Sequence, residues 1–211
     1  MKILNLYAGI GGNRKLWGDE HEITAVEIDE ELCEIYRKLY PNDKIIIGDA
    51  IEYLEKNFQK FDFIWASPSC LTHTRMNIIN AGVRYNNKNM TLKIPNMELY
   101  GLIIFLNKIF RGKYLIENVI PYYEPLIKSK LKIGRHYFWS NFEISNIQIK
   151  GTFYNMNTHK NDKVEDLSKY HDFNLSFLKK QRYKKITLKK ALKNCVKKEI
   201  GLHILNCAIN S

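Results

Sequence analysis

The run Phe61-Asp62-Phe63-Ile64-Trp65-Ala66-Ser67-Pro68-Ser69-Cys70 carries the clearest structural signal in this chain. An apolar stretch that follows Lys60 and stops at Pro68 predicts a buried β-strand. That strand delivers the thiol of Cys70 to its carboxyl end, which is the edge where open α/β sheets bind ligands. A single free cysteine is more often a small buried apolar residue than a functional group. The polar residues that follow the other predicted strands therefore decide between the two interpretations.

Two strands are predicted upstream, and both end in residues that suit a bound nucleoside. The strand from Lys2 to Tyr7 runs directly into Ala8-Gly9-Ile10-Gly11-Gly12. Glycines at such a place let the backbone turn tightly and approach a ligand, although many runs of this kind are only turns. The second strand ends at Glu27, whose carboxylate can accept both hydroxyls of a ribose. Asp29 is predicted to cap a helix from Glu30 to Leu39.

A third strand, from Lys44 to Ile47, leads into Gly48-Asp49-Ala50. Asp49 can cap the predicted helix from Ile51 to Phe58. It can instead accept a hydrogen bond from the exocyclic amino group of an adenine. The two roles are compatible only if the carboxylate is shared between them.

Composition bounds the class of protein. The 211 residues fit one domain, 1–211, and no apolar run reaches the length of a membrane span. The chain opens on a strand, so no signal peptide is expected. Four irregularly spaced cysteines predict neither a disulfide framework nor a metal site, which favours a reduced, cytoplasmic compartment.

The formal net charge of +11 predicts a polyanionic partner, most often nucleic acid. Much of this charge is concentrated in residues 179–198. Such clustering favours a basic binding face, but a lysine-rich solvated surface is the alternative.

Residues 71–94 are polar and basic without clear periodicity, which predicts a functional loop beside Cys70. Pro95 is predicted to open a core helix that runs to about Phe110. The next strand, from Tyr114 to Ile116, is followed by Glu117-Asn118-Val119.

Taken in order, these segments resemble the cytosine-5 DNA methyltransferases. Residues 7–12 are similar to the family's Phe-X-Gly-X-Gly-Gly loop, and residues 68–70 stand where it has Pro-Pro-Cys. Residues 117–119 are its Glu-Asn-Val, and residues 137–141, Tyr-Phe-Trp-Ser-Asn, resemble the Tyr-Phe-Trp-Gly-Asn of the animal de novo enzymes. Residues 194–201 resemble the closing Asn-X-Val-Pro-Pro-X-X-Gly motif.

The resemblance implies an α/β fold, with a Rossmann-like S-adenosylmethionine-dependent methyltransferase sheet that carries helices on both faces. It implies S-adenosyl-L-methionine as cofactor and double-stranded DNA as partner, with no metal, no membrane and a monomeric chain. Only residues 142–186 remain for a target-recognition insert, a reduced size that suggests a phage or mobile-element member.

The resemblance also implies roles for individual residues. The catalytic residues are Cys70, Glu117 and Arg135. The cofactor-binding residues are Tyr7, Gly9, Gly11, Gly12, Glu27, Ile28, Asp49, Ala50, Pro68, Asn194 and Val196. The nucleic-acid-binding residues are Thr72, His73, Arg75, Lys179, Lys180, Arg182, Lys184 and Lys185.

The chemistry of such a reaction needs these residue types. Carbon 5 of cytosine is a poor nucleophile, and a thiolate that adds to carbon 6 makes it reactive. Cys70 must therefore be partly ionised, which predicts a positive local potential. Glu117 can share a proton with ring nitrogen 3 if its pKa is raised.

The chain also departs from the family pattern. Ser69 and Leu71 replace a Pro and a Gln, Arg135 stands alone between the two positions of an Arg-X-Arg pair, and Lys197 and Lys198 replace the final Pro pair. These departures leave an RNA methyltransferase and an inactive cofactor-binding regulator as alternatives. Exocyclic amino methylation fits Ser67-Pro68 but requires an aromatic residue where Cys70 stands.

Overall fold

The computed structural model describes residues 1–75, 77, 93–147, 163–180 and 185–211. The strands are β1 (Lys2–Leu6), β2 (Glu22–Glu27), β3 (Lys44–Ile47), β4 (Phe63–Ala66), β5 (Lys113–Val119), β6 (Leu131–Ile133) and β7 (His136–Ser140). The helices are α1 (Glu30–Leu39), α2 (Ala50–Asn57), α3 (Glu98–Ile109), α4 (Val164–Tyr170), α5 (Lys185–Asn194) and α6 (Lys198–Ile209). Short 3₁₀ helices cover Arg14–Leu16, Phe58–Lys60 and Ser176–Lys180.

The strands form one sheet in the order β3-β2-β1-β4-β5-β7-β6. The pairs from β3 to β5 are parallel, whereas β7 runs antiparallel to both of its neighbours. The chain order reverses between β1 and β4, and this is where open α/β sheets form a ligand crevice. The carboxyl ends of the first five strands therefore bring their following residues to one edge.

Helices cover both faces of the sheet, as the sequence predicts. On one face, Leu54 of α2 and Leu102 of α3 pack against Leu6 and Ile64. On the other face, Ile200 and the rest of the apolar side of α6 pack with Trp17, Trp65 and their neighbours. The side chains of Trp17 and Trp65 are almost fully buried, with ring centroids 5.8 Å apart. Burial of one large side chain contributes about 1.5–3 kcal/mol, so these two layers stabilise the packing of the helices on the sheet.

Two element boundaries differ from the sequence prediction. Glu117, Asn118 and Val119 lie inside β5, because antiparallel β7 extends the pairing as far as Val119 and His136. The helix after Pro95 begins only at Glu98, whose backbone N–H donates to Asn96 Oδ1 at 2.9 Å.

The sequence leaves residues 142–186 for a small target-recognition insert. The described part of this region contains α4 and the 3₁₀ turn Ser176–Lys180. Leu167 of α4 is fully buried and packs in one cluster with Ile35 of α1 and Leu192 of α5. Across the described part of the chain, every helix is too short or too polar to cross a membrane.

Candidate active site

Glu27, at the end of β2, organises the backbone of the glycine-rich turn. Its Oε2 accepts a hydrogen bond from the Gly9 N–H at 2.9 Å. Its Oε1 accepts from the N–H groups of Ile28 at 2.9 Å and Asp29 at 3.0 Å. One carboxylate thus joins the ends of β1 and β2 and faces the edge of the sheet with a negative charge.

The space above these strand ends is open. Gly9 has a φ of +55°, in the left-handed region, and a Cβ there would meet no atom within 4 Å. The same open space lies over Gly48, at the end of β3. Ile28 beside them is 71% exposed, which is unusual for an apolar residue next to a sheet edge. Open backbone, an exposed apolar side chain and a carboxylate together form a surface that can hold a nucleoside.

The opposite side of the glycine-rich turn is closely packed. A Cβ on Gly12 would lie 2.8 Å from Cys195 Cβ and 2.9 Å from the Val196 carbonyl oxygen. A Cβ on Gly201 would collide with the Asn13 backbone. The predicted cofactor residue Val196 is itself 7% exposed and belongs to the core. The closing segment therefore supports the turn from behind.

Tyr7 links this turn to α3. Its hydroxyl donates to Glu98 Oε1 at 2.6 Å. Burial, followed by the hydrogen bond and charge of Glu98, raises the pKa of Tyr7 far above its ordinary value of 10.0. The backbone of Tyr7 has a φ of 57°, which is uncommon for a residue with a side chain. The ring is thus held at the sheet edge by a bond to a second element.

Asp49 caps α2, the simpler of its two predicted roles. Its Oδ1 accepts from the N–H groups of Ile51 and Glu52, both at 2.9 Å. The cap uses Oδ1, so Oδ2 is the oxygen that could meet an adenine amino group.

Replacement of Asp49 by Asn separates these two roles. The amide oxygen of Asn can keep the cap, but its NH₂ would face the amino group of an adenine, donor against donor. We expect the dissociation constant for S-adenosylmethionine to rise by about 5- to 100-fold, which corresponds to about 1–3 kcal/mol for a lost hydrogen bond. Isothermal calorimetry measures the affinity, and thermal unfolding tests whether the cap survives.

Asp29 provides the matched control, since its Oδ1 caps α1 by accepting from Leu32 N at 3.2 Å. Asp29→Asn should leave the cofactor affinity unchanged. An equal loss of affinity in both variants would mean that Asp49 acts only through its helix.

Cys70 follows β4 at the same edge and is half-buried. The preceding turn is fixed by Asn118 on β5, whose Nδ2 donates to the Pro68 carbonyl at 2.9 Å. The Cys70 carbonyl in turn accepts from the N–H groups of His73 at 3.1 Å and Thr74 at 3.0 Å. The nucleophile candidate is therefore held by backbone bonds on both sides.

The surroundings of the Cys70 thiol do not favour its ionised form in the way that the sequence predicts. Burial, and then the charge of Glu117, raise the pKa of Cys70 above its ordinary value of 9.0. Arg135 and Lys190 lower it, but they act against a larger effect. The predicted positive groups are present, yet desolvation of the thiolate outweighs them.

Glu117 is 7% exposed, and burial raises its pKa from 4.5 to about 7, as the sequence requires for its predicted role. A hydrogen bond from Ser67 and the charge of Arg135 oppose this rise. The Ser67 hydroxyl also accepts from Trp65 Nε1 at 2.9 Å, so its orientation is set by β4. Glu117 can therefore both hold and release a proton near neutral pH.

His136 on β7 lies beside Glu117, with 3.5 Å between Nε2 and Oε1. Burial and the charge of Arg135 lower the pKa of His136 to about 3, so it is neutral near pH 7 and the contact is not an ion pair. Sequence analysis gave no role to His136 or Ser67. Ser67 directly precedes a recognised motif, whereas His136 reaches the site only through the β5–β7 pairing.

Arg135 has a supporting position. Its Nη2 donates to the Lys193 carbonyl at 2.8 Å, which satisfies the carboxyl end of α5. Its charge still acts on the thiol of Cys70 and the carboxyl of Glu117.

Of the predicted nucleic-acid-binding residues, His73 is buried. Its side chain is 1% exposed and its Nδ1 lies 2.5 Å from the Tyr123 hydroxyl. Thr72 Oγ1 accepts from the Asn96 N–H at 2.9 Å, whereas Arg75 is exposed. Arg182, Lys184 and the side chains of Lys179, Lys180 and Lys185 lie outside the described residues.

Within the described ranges, no group of three or more His, Cys, Asp or Glu residues is arranged to hold a metal ion. The four cysteines are free.

Parts of this chain are similar in sequence to known methyltransferases. Residues 1–75 match the family model described as C-5 cytosine-specific DNA methylase. The Type II methyltransferase M1.HgaI of Avibacterium volantium is 30% identical over 106 residues, which cover 46% of this chain and 28% of that relative. The match thus spans less than a third of the relative's length.

A solved structure that superposes over the whole chain supports the fold. The Entamoeba histolytica methyltransferase EhMeth superposes with a TM-score of 0.60 over 100% of this chain and 98% of that one, at 13% identity. A DNMT2 variant of Spodoptera frugiperda is 29% identical over 56% of this chain and 35% of its own, with a TM-score of 0.37. Together with the family match, the sheet topology confirms the α/β methyltransferase fold and the resemblance of this chain to the cytosine-5 DNA methyltransferases.

Proposed function

We propose that the chain transfers a methyl group from S-adenosyl-L-methionine to carbon 5 of a flipped cytosine in double-stranded DNA, through a covalent adduct with Cys70. The observation that carries this proposal is the pairing of a thiol and a carboxyl group at one sheet edge. Cys70 follows β4, Glu117 lies on β5, and the two strands are neighbours in the sheet. The pKa of Glu117, raised to about 7, suits a group that must exchange a proton at neutral pH.

The two residues have complementary tasks. The Cys70 thiolate forms a bond to carbon 6, and the displaced electron pair moves into the ring towards nitrogen 3. Glu117 holds a proton at nitrogen 3, which limits the negative charge on the ring and leaves carbon 5 nucleophilic. Carbon 5 then takes the methyl group, and S-adenosylhomocysteine is the leaving group. Carbon 5 next loses its proton to a base, and Glu117 takes back the proton from nitrogen 3. The bond between Sγ and carbon 6 then breaks, and the thiolate is released.

S-adenosylmethionine supplies an electrophilic methyl group, and the open surface over β1, β2 and β3 fits its adenosine. In this proposal Glu27 accepts the ribose hydroxyls, Asp49 Oδ2 accepts the adenine amino group, and Ile28 and Tyr7 provide apolar contact. The remaining proposed contacts come from Gly9, Gly11, Gly12, Ala50, Pro68 and Asn194. Val196 belongs to the core and supports the glycine-rich turn from behind.

The chain is proposed to form one domain, 1–211, with 142–186 as a small target-reading insert. The burial of Leu167 against α1 and α5 supports this, because α4 shares a core with the cofactor-binding half. The proposal that the basic residues 179–198 contact phosphates is supported by Lys190 on α5, whose charge acts on Cys70.

Lys190→Gln is expected to weaken binding to all duplex DNA alike, since phosphate contacts set affinity without reading sequence. The slope of log affinity against log salt should flatten by about 0.9. The thiol pKa of Cys70 should rise further, because Lys190 lowers it. Lys108→Gln, at the last turn of α3 and thus at the opposite edge of the sheet, is the matched control. An unchanged salt slope in Lys190→Gln would assign the lysine to a solvated helix face.

Methyl transfer tests the function directly. Radiolabelled S-adenosylmethionine is offered with duplex DNA or with transcribed tRNA, and the product base is identified by mass spectrometry after hydrolysis. We expect 5-methylcytosine in DNA only. DNA containing 5-fluorocytosine should trap the chain covalently, because fluorine cannot leave carbon 5 as a proton does. Methylation of tRNA alone would favour the RNA alternative, and cofactor binding without either product would favour an inactive regulator.

A further inference from the structure

Three chain segments meet at the buried side chain of His73, three residues after Cys70. The first segment is the turn that begins at Cys70 and includes His73 itself. The second is the continuation of β5, from which Tyr123 places its hydroxyl 2.5 Å from His73 Nδ1. The rings of His73 and Tyr123 are also in contact, with centroids 6.0 Å apart.

The third segment precedes α3 and reaches His73 through the backbone of Asn96. A hydrogen bond from the ring to the Asn96 backbone raises the pKa of His73, as a carbonyl acceptor does, although burial lowers it more. The Asn96 N–H donates to Thr72 Oγ1 at 2.9 Å. Asn77 Nδ2 donates to the Lys93 carbonyl at 3.1 Å. Thr72 and Asn77 are thus each tied by one hydrogen bond to the segment 93–96.

Backbone contacts strengthen the attachment to the continuation of β5. The Tyr122 N–H donates to the His73 carbonyl at 3.1 Å, and Thr74 forms an antiparallel bridge with Pro121. Tyr100 of α3 donates its hydroxyl to that of Tyr123 at 3.4 Å, so the same tyrosine is held from two sides.

One neutral form of the ring satisfies both of its partners, the Tyr123 hydroxyl and the Asn96 backbone. With Nδ1 at the Tyr123 hydroxyl, Nε2 is the nitrogen left to donate to the Asn96 carbonyl, and the Tyr123 hydroxyl then donates to Nδ1. Because the Cys70 carbonyl accepts from both the His73 and Thr74 N–H groups, any displacement of His73 also moves the backbone of Cys70.

We propose that His73 is a positioning residue that fixes the place of the Cys70 thiol by joining the nucleophile turn to Tyr123 and Asn96. The proposal rests on the proposed function for its effect on turnover, but its effect on the thiol can be measured without any activity. His73 does not touch the base or the cofactor in this proposal. It acts only through the backbone of Cys70.

The test compares three replacements of His73 with distinct chemistry. Phe keeps a ring but loses both hydrogen bonds. Asn places a polar atom near the position of Nδ1 and retains the bond to Tyr123, whereas Gln places an N–H near the position of Nε2 and retains the bond to Asn96. Tyr123→Phe removes one oxygen and serves as a minimal variant if His73→Phe does not fold.

Two sets of measurements are made on the full chain, one of thiol reactivity and one of kinetics and cofactor binding. The rate of alkylation of Cys70 by iodoacetamide is followed by peptide mass spectrometry, and kcat, KM and the dissociation constant for S-adenosylmethionine are measured in parallel. In His73→Phe we expect Cys70 to be alkylated at least threefold faster than in the parent. The kcat of this variant should fall at least tenfold, and its cofactor affinity should stay within twofold of the parent's. His73→Asn and His73→Gln should each recover part of both effects, and Tyr123→Phe should resemble His73→Gln.

A parent alkylation rate in both His73→Phe and Tyr123→Phe would overturn the proposal. The proposal would also be overturned if His73→Asn and His73→Gln showed the same alkylation rate and kcat as His73→Phe. A loss of cofactor affinity parallel to the loss of kcat would overturn it as well, because it would indicate general destabilisation. If the parent chain methylates no substrate but the alkylation rates change as expected, the proposed function fails and the positioning role of His73 stands.

Discussion

Replacement of Cys70 by alanine is expected to lower kcat for methyl transfer by at least about 1,000-fold, because a covalent route has no substitute for its nucleophile. The dissociation constant for S-adenosylmethionine should change by less than twofold. The reason lies in the sheet. Cys70 follows β4, whereas the open surface proposed for the cofactor lies over the ends of β1, β2 and β3. Single-turnover kinetics and calorimetry measure the two quantities independently.

Cys207→Ala is the matched control, since Cys207 is also a free, half-buried thiol but lies on α6. It should keep full activity and full trapping by 5-fluorocytosine DNA. Substantial turnover by Cys70→Ala would remove the covalent mechanism and leave a methyltransferase of different chemistry.

Replacement of Glu117 by glutamine is expected to change the shape of the pH profile as well as the rate. In the active form of the parent, Glu117 is protonated and Cys70 is ionised, so the two groups together hold one proton. With a pKa of about 7 for Glu117 and a thiol pKa above 9.0, the one-proton state is most populated between these values. The parent kcat/KM should therefore rise through about pH 7 and fall above the thiol pKa.

In Glu117→Gln only the thiolate has to form, so kcat/KM should rise with pH and have no falling limb. The midpoint of this rise should lie at a lower pH than the midpoint of the parent's falling limb, since Glu117 raises the thiol pKa. The rate at the optimum should drop by about 10²- to 10⁴-fold, the usual contribution of a general acid. Steady-state kinetics between pH 5.5 and pH 10 measure both pH profiles of kcat/KM. A bell-shaped profile that persists in the variant would place the essential acid elsewhere.

Stability provides the control for folding. The pKa of Glu117 is raised in the folded state, so its contribution to stability is present below its unfolded pKa and is lost as pH rises through about 7. A rise from 4.5 to about 7 corresponds to about 3 kcal/mol. Glu117→Gln should therefore be more stable than the parent at pH 8 by up to this amount and nearly equal at pH 4, as chemical denaturation would show. Glu55→Gln on the exposed side of α2 should show neither effect.

The sequence alone was sufficient to predict where β1 to β4 end and which residues follow them. Glycine and proline are local signals, and a continuous apolar run is enough to identify a buried strand. For that reason β1 to β4, the cap at Asp29 and the position of Cys70 after β4 are as predicted. The need for a raised pKa at Glu117 was also predictable, because it follows from the chemistry proposed for the motif.

Only the tertiary structure decided the environments of these residues. The burial of His73 depends on its contacts with Tyr123 and Asn96, which lie 50 and 23 positions away in the chain, and no local pattern encodes those contacts. The inclusion of Glu117 in β5 depends on antiparallel pairing with β7. The raised pKa of the Cys70 thiol follows from burial, whose desolvation cost exceeds the attraction of Arg135 and Lys190. The ends of the first four strands and the residues that follow them are encoded in local sequence. A pKa instead depends on everything that packs around the group, and long-range folding alone determines that packing.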